Sequence, residues 1–517
     1  MRPARTLMNK KKASGDPEKR DAAQPRMATG NEGLDQILEG GFPANRLYLV
    51  EGDPGTGKTT LALQFLLEGA RRGEPVLYVT LSETKEELTA VAESHGWSLD
   101  GIDIHELVPP EENLRTETQY TIFYPSEVEL GDTTNAVIEE VERIQPRRIV
   151  FDSLSEMRLL ARDPLRYRRQ ILALKQFFAG RQCTVILLDD RTSADGDLQL
   201  QSIAHGVLML EQLAVDYGGE RRRLRVVKLR GSRFGGGFHD FNIRTGGVEV
   251  YPRLVAAEHR REFVKESVSC SLPELDALLG GGLDRGTSTL IMGPAGSGKS
   301  SIAAQFIACA ARRGEVSAAF IFDEGIDIHM ARAAGLGNDI RGDVESGRIL
   351  VQQIDPAELS PGEFAHRVRH VVEQEGARIV VIDSLNGYLQ AMPDERFLTA
   401  QMHELLTYLN RQGVVTVLVM AQHGFLGAQM GTPVDVSYLA DTVMLLRYFE
   451  AGGAVRRAIS VVKKRTGFHE NTIRELRLSS KGIVVGKPLT EFQGVLTGVP
   501  VYIGESISRT MEGDDEA

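Results

Sequence analysis

Apolar and polar positions alternate along this chain on two length scales. Short apolar runs of strand length recur between longer stretches in which apolar residues return at helical spacing. That pattern predicts an α/β fold, with a mostly parallel sheet covered by helices. In the first half the runs are Leu47–Val50, Val76–Val79, Ile149–Phe151, Val185–Leu188, Val207–Leu210 and Leu224–Val227. The second half answers with Thr289–Met292, Ala318–Phe322, Ile379–Ile382, Val415–Val419, Val443–Leu446 and Ile459–Val462. Ligands of such sheets bind beyond the carboxyl ends of the strands, so charged residues that follow these runs are the first candidates for chemistry.

The halves read as copies of one unit of about 235 residues. Gly33-Leu34-Asp35-Gln36-Ile37-Leu38 and Gly40-Gly41-Phe42 return as Glu274-Leu275-Asp276-Ala277-Leu278-Leu279 and Gly281-Gly282-Leu283. The lysines of two glycine-rich loops stand 241 apart, two strand-end aspartates 231, and two Gly-Phe-His histidines 230. These offsets place one domain at 28–254 and another at 268–504, joined by a linker at 255–267 that carries Arg260, Arg261 and Lys265. Residues 1–27, with Lys10-Lys11-Lys12 and no hydrophobic period, read as a disordered basic arm, with Met27 as an alternative start. Residues 505–517 form a short acidic tail.

Composition narrows the class. A chain of 517 residues suits two cores better than one. It is 42% hydrophobic and 25% charged with a net charge of −11, and no apolar run approaches the roughly 20 residues of a membrane helix. Cys183, Cys270 and Cys309 lack metal-ligand spacing and read as small buried hydrophobes in a reducing cytoplasm. Net acidity and a 6% aromatic share argue against a nucleic-acid surface, although Arg221, Arg222 and Arg223 would suit a local basic channel.

Gly52-Asp53-Pro54-Gly55-Thr56-Gly57-Lys58-Thr59, followed by Thr60, and Gly293-Pro294-Ala295-Gly296-Ser297-Gly298-Lys299-Ser300, followed by Ser301, both fit the P-loop pattern for ATP. Glycines let the backbone wrap phosphates, Lys58 or Lys299 reaches the β and γ oxygens, and Thr59 or Ser300 offers a hydroxyl to Mg²⁺. Asp152 and Asp383 end apolar strands and are the Mg²⁺ carboxylates, with a helix N-cap as the competing role. Glu83 in the first copy, and Asp323 and Glu324 in the second, follow the second strand and are candidate catalytic bases; Ser82 stands where the second copy has Asp323. Lys228 with Arg230, and Lys463 with Arg465, project together from the last shared strand. They suit a neighbouring subunit's γ-phosphate, and the alternative is a solvated edge strand.

Taken together, these residues resemble the KaiC family of tandem RecA-like ATPases, as do Lys228-Leu229-Arg230-Gly231, Lys463 to Arg465, and Phe425-Leu426-Gly427-Ala428 leading to Asp441-Thr442. The resemblance runs from about Thr29 to Gly504. It implies a homohexameric double ring with ATP between neighbours, a steady ATPase in the first ring and an autokinase in the second. It sets Ser437 and Tyr438 on the family's acceptor pair and Thr432 on a nearby threonine, so Tyr438 departs from the family in carrying a phenol. A KaiB-like partner at the first ring is implied, whereas the tail after Gly504 does not match the family's activator-binding loop and argues against a KaiA-type activator. A RecA-like nucleic-acid motor and a nucleotide-gated scaffold with little turnover are the competing readings. Stimulation by single-stranded DNA would mark the first, and rings without phosphate release the second.

Overall fold

Each apolar run falls on a strand, to within a residue, in the computed structural model, which describes residues 25–107, 125–161, 163–191, 198–214, 218–390, 397–422, 438–496 and 500–503. In the first domain the strands are β1 (Leu47–Gly52), β2 (Val76–Thr80), β3 (Asp103–Glu106), β4 (Arg148–Asp152), β5 (Thr184–Asp190), β6 (Gly206–Leu213), β7 (Arg221–Leu229), β8 (His239–Arg244) and β9 (Gly247–Tyr251). They form one sheet in the order β3-β2-β4-β5-β1-β6-β7-β8-β9. The second domain supplies β10 (Ser288–Gly293), β11 (Ser317–Ile321), β12 (Ile349–Gln353), β13 (Ile379–Asp383), β14 (Val415–Ala421), β15 (Thr442–Ala451), β16 (Ala454–Lys464), β17 (Arg474–Ser479) and β18 (Gly482–Pro488). Their order is β12-β11-β13-β14-β10-β15-β16-β17-β18, the same topology strand for strand.

From β3 to β6, and from β12 to β15, neighbours run parallel. Beyond them β7 with β8, and β15 through β18, pair antiparallel. The parallel centre was legible because helices cover both faces, so every residue of β1, β2 and β4 is buried and the strand reads as a continuous apolar run. The edge strand β3 carries polar, partly exposed residues and lacks that signature, and in β12 the apolar run is short, Ile349-Leu350-Val351, before two glutamines. A two-strand antiparallel clasp opens each domain, Arg26–Met27 on Phe42–Pro43 and Ser267–Val268 on Leu283–Asp284.

The chain divides into two compact units, one of Met1–Glu211, Arg225–Gly236 and Ile243–Val250, the other of Gln212–Leu224, Gly237–Asn242 and Tyr251–Ala517. One face of the first sheet packs Leu49, Leu77, Ile149, Val185 and Leu187 against Val141, Met157, Ile171 and Leu174 of its helices. The second repeats this arrangement with Leu290, Ala318, Val380 and Leu418 against Val368, Val371, Leu405 and Leu409 of its helices. All three cysteines are buried, and Cys270 and Cys309, far apart in sequence, meet where the Cys309 thiol lies 2.7 Å from the Cys270 carbonyl. Among the described residues no helix is long and apolar enough to cross a membrane.

Candidate functional site

In both domains the first strand of the repeat runs into a glycine-rich loop and then a 14-residue helix, Lys58–Arg71 or Lys299–Arg312. Gly57 and Gly298 precede these helices with φ of 91° and 103°, a left-handed conformation that favours glycine. Neither helix has a side-chain cap, so first-turn N–H groups stay free to meet an anion. Elsewhere in the chain Thr84, Asp163 and Ser360 do cap their helices. Thr56 closes the first loop by donating to the Asp53 carbonyl at 2.8 Å, and the Ser297 N–H reaches the Pro294 carbonyl at 3.3 Å. Gly55 and Gly296 share a left-handed turn, with φ of 83° and 72°.

The two P-loop lysines are both buried but differ in company. Lys58 donates to the Gly52 and Asp53 carbonyls at 2.8 and 3.0 Å and pairs with Asp190 at 2.7 Å. Lys299 donates to the Pro294 carbonyl at 2.8 Å, and burial pushes its pKa down to about 8 against a small opposing pull from Asp383.

Sheet pairing brings the strand-end aspartates to the same place. Thr59 donates its hydroxyl to Asp152 at 2.8 Å, and Tyr78 donates to the same carboxylate at 2.5 Å. Ser300 hydrogen-bonds Asp383 in the second domain. Burial raises both carboxyl pKa values, against the lowering effect of those hydroxyls. Asp383 Oδ2 is buried without a hydrogen-bond partner among the described residues. An oxygen so placed, beside a hydroxyl at the phosphate loop, fits a hard cation that prefers oxygen ligands. The competing N-cap role falls to the next residue: Ser384 Oγ accepts the Gly387 N–H at 3.2 Å at the start of helix Leu385–Gln390.

Glu83 and Glu324 occupy equivalent positions in opposite surroundings. Burial, with Asp152 and Glu87 nearby, lifts the Glu83 carboxyl above the usual range, and its Oε2 is buried without a hydrogen-bond partner among the described residues. Burial also acts upward on Glu324, but a hydrogen bond from His329 at 3.0 Å and the charge of Arg332, at 2.7 Å, outweigh it and hold its carboxyl low. Asp323 is exposed and accepts a hydrogen bond from the Ser384 hydroxyl.

The solvated-edge alternative for the paired cations fails, because β7 and β16 lie inside their sheets. Each pair turns back onto backbone carbonyls just ahead of the neighbouring strand. Lys228 donates to Gln201 and Arg230 to Ser202 at 2.8 Å; Lys463 donates to Ala440 at 2.8 Å and Arg465 to Tyr438 at 3.0 Å. Lys228 and Arg230 reach adjacent carbonyls and so share one side, and burial, then Arg230 and Lys175, lower the Lys228 pKa. The Tyr438 side chain is exposed. Thr432, Ser437 and Phe425-Leu426-Gly427-Ala428 lie outside the described residues.

Sequence reasoning missed Tyr78, Asp190, His329 and Arg332. Asp189-Asp190 follow the apolar run Val185–Leu188 as Asp152 follows its own, a signal of the same kind. His329 and Arg332 sit three apart on one helix and so share a face. Tyr78 has no sequence signal, because a tyrosine inside a buried strand reads as core.

A family model described as "ATPase: KaiC" matches residues 27–255 and again 268–490. The chain is 25% identical to the "Circadian clock protein KaiC3" of Synechocystis sp. over 94% of this chain and 97% of that protein. It is 27% identical to the "Circadian clock oscillator protein KaiC" of Parathermosynechococcus lividus over 93% and 88%, and 26% identical to that of Synechococcus elongatus over 95% of each. Two family matches and two sheets of one topology make these tandem RecA-like ATPase domains.

Proposed function

This chain belongs to the KaiC family of ATPases, and from that premise we propose that it is a nucleotide-driven regulatory switch whose two domains do different chemistry. The first hydrolyses ATP; the second transfers the γ-phosphate to a hydroxyl of its own chain. The observation that carries this division is the opposed setting of Glu83 and Glu324. A carboxylate with raised proton affinity and a free oxygen suits proton abstraction from water. One clamped by His329 and Arg332 is a weaker base, which leaves the exposed Asp323 to accept the proton of an incoming alcohol.

In this reading Lys58 and Lys299 bind the β- and γ-phosphates over the uncapped helix N-termini. Mg²⁺, held by Thr59 with Asp152 and by Ser300 with Asp383, supplies charge neutralisation at the phosphates. Lys228, Arg230, Lys463 and Arg465 stabilise the transferring group from a neighbouring protomer of a homohexamer. Ser437 is the first acceptor, with Tyr438 and Thr432 as further acceptors. The relatives are named as circadian clock proteins, and a clock-like role with a KaiB-like partner at the first ring follows from that likeness.

Incubation with Mg²⁺-ATP, followed by light scattering and phosphopeptide mass spectrometry, tests the proposal. A hexamer that releases phosphate and carries phosphate on the peptide containing Ser437 and Tyr438 is expected. A monomer at saturating ATP, or an active hexamer without that modification, would remove the double ring or the kinase half respectively.

The second site also has a testable pH signature. Lys299 is charged below about 8 and neutral above it, so the attraction it offers ATP is present below that pH and fades above it. Binding of a fluorescent ATP analogue to a Lys58→Ala variant should weaken between pH 7 and pH 9, by up to about tenfold per unit once Lys299 is neutral. Flat binding across that interval contradicts the assignment of Lys299 as the phosphate ligand.

A further inference from the structure

The two phosphate loops are built on the same backbone but flanked by different charge. β1 pairs with β5 so that Gly52 lies beside Asp190, and β10 pairs with β14 so that Gly293 lies beside Ala421. One step back, Glu51 beside Asp189 becomes Met292 beside Met420. Three carboxylates thus line the first P-loop strand where the second domain has none.

Two of the three are already committed. Asp189 is buried and gripped by Arg158 at 2.9 and 2.7 Å, and Glu51 accepts from Gln201 at 2.8 Å. Asp190 differs, with a side chain 27% exposed and Oδ1 only 2.7 Å from Lys58 Nζ. Ser155 steadies it, accepting the Asp190 N–H at 3.2 Å and donating to its carboxylate at 3.3 Å. The carboxylate is therefore held in place beside the lysine by its neighbours.

We infer that Asp190 is a specificity-determining residue of the first nucleotide site, an electrostatic gate that shares Lys58 with the γ-phosphate and weakens ATP relative to ADP. The inference rests on the reading of Lys58 as the phosphate ligand. A lysine that touches both Asp190 and a γ-phosphate oxygen brings two anions close in a partly desolvated cleft, where repulsion is little screened. ADP lacks the γ-phosphate, so its charge ends farther from Asp190. The second domain, with Ala421 at this register, lacks the discrimination. The first site would favour release of the γ-phosphate and retention of ADP, and the second would retain ATP for transfer.

The test uses the full chain carrying Lys299→Ala, so that binding reports the first site, with Mg²⁺ and fluorescent N-methylanthraniloyl ATP and ADP as probes. Asp190→Asn, which keeps shape and removes charge, should tighten the ATP probe by about tenfold, the scale of one close charge contact in a polar cleft, and tighten the ADP probe by a clearly smaller factor, since only its β-phosphate meets Lys58. The reciprocal Ala421→Asp, in a Lys58→Ala chain, should weaken the ATP probe at the second site, with thermal melts recording that both variants fold. Unchanged ATP preference in Asp190→Asn with binding intact overturns the gate alone. Equal shifts of both probes, or collapsed turnover at unchanged ATP affinity, also overturn it, the latter by making Asp190 part of the chemical step. Failure of the Lys299→Ala chain to bind either probe overturns the ATPase reading of the first domain together with the gate.

Discussion

Lys58→Ala will cut basal phosphate release by about 100-fold or more, whereas Lys299→Ala will leave most of it and instead remove self-phosphorylation on a similar scale. Each lysine sits at the start of a helix whose first turn lacks a side-chain cap, so removing it deletes a side-chain cation from an otherwise backbone-built phosphate cradle. Both loops are complete, and both strand-end aspartates lie against the loop hydroxyl, through Thr59 in one domain and Ser300 in the other. The domains differ around these shared cradles, at Glu83 and Asp190 against Asp323, Glu324 and Ala421. Release of inorganic phosphate and incorporation of labelled phosphate into protein, measured on the same preparations, separate the two activities. Equal loss of both in each variant would show that the domains do not divide the work.

Glu83→Gln is expected to slow hydrolysis by about 10²- to 10⁴-fold, the range for loss of a general base, while nucleotide binding persists. The substitution keeps size and removes only the ionisable oxygen. Because burial lifts the Glu83 carboxyl, its basic form is lost as pH falls through a value above the ordinary glutamate range of about 4.3. The acid limb of the hydrolysis profile should therefore lie above that of an exposed carboxylate and vanish in the variant. Stability moves the other way. A carboxyl whose pKa is raised on folding contributes stability below its unfolded pKa and loses it as pH rises through the folded value. At neutral pH the variant should then melt no lower than the parent, whereas a structural glutamate would lower it. Full activity in Glu83→Gln would assign the base elsewhere.

Read from sequence alone, the tandem repeat, the twelve apolar strands, both P-loops and both strand-end aspartates were already determined. Each is local: a buried parallel strand is a continuous apolar run, and a phosphate loop is a fixed spacing of glycine, lysine and hydroxyl residues. Repetition at near-constant offset added what a single motif lacks, since two unrelated turns do not recur in register. The edge strand β3 escaped because its Asp-Ile-His-Glu sequence is polar and partly exposed, and β8, β9, β17 and β18 escaped with it, whereas β12 escaped although Ile349-Leu350-Val351 open it.

Only the tertiary structure decided what surrounds those motifs. Tyr78 reaches Asp152 because β2 and β4 are neighbours in the sheet although 74 residues separate the two groups. Asp190 reaches Lys58 because β5 lies beside β1, and the second domain's Ala421 at that register shows how one strand pairing makes two equal loops unequal. Likewise, nothing in the spacing of Glu83 and Glu324 foretells that one carboxylate is lifted by burial and the other held down by His329 and Arg332. The physical reason is that motif spacing is a property of contiguous chain, whereas the charge and desolvation that tune a carboxylate come from whichever strands and helices pack beside it, and those neighbours are fixed only by the pairing of the sheet.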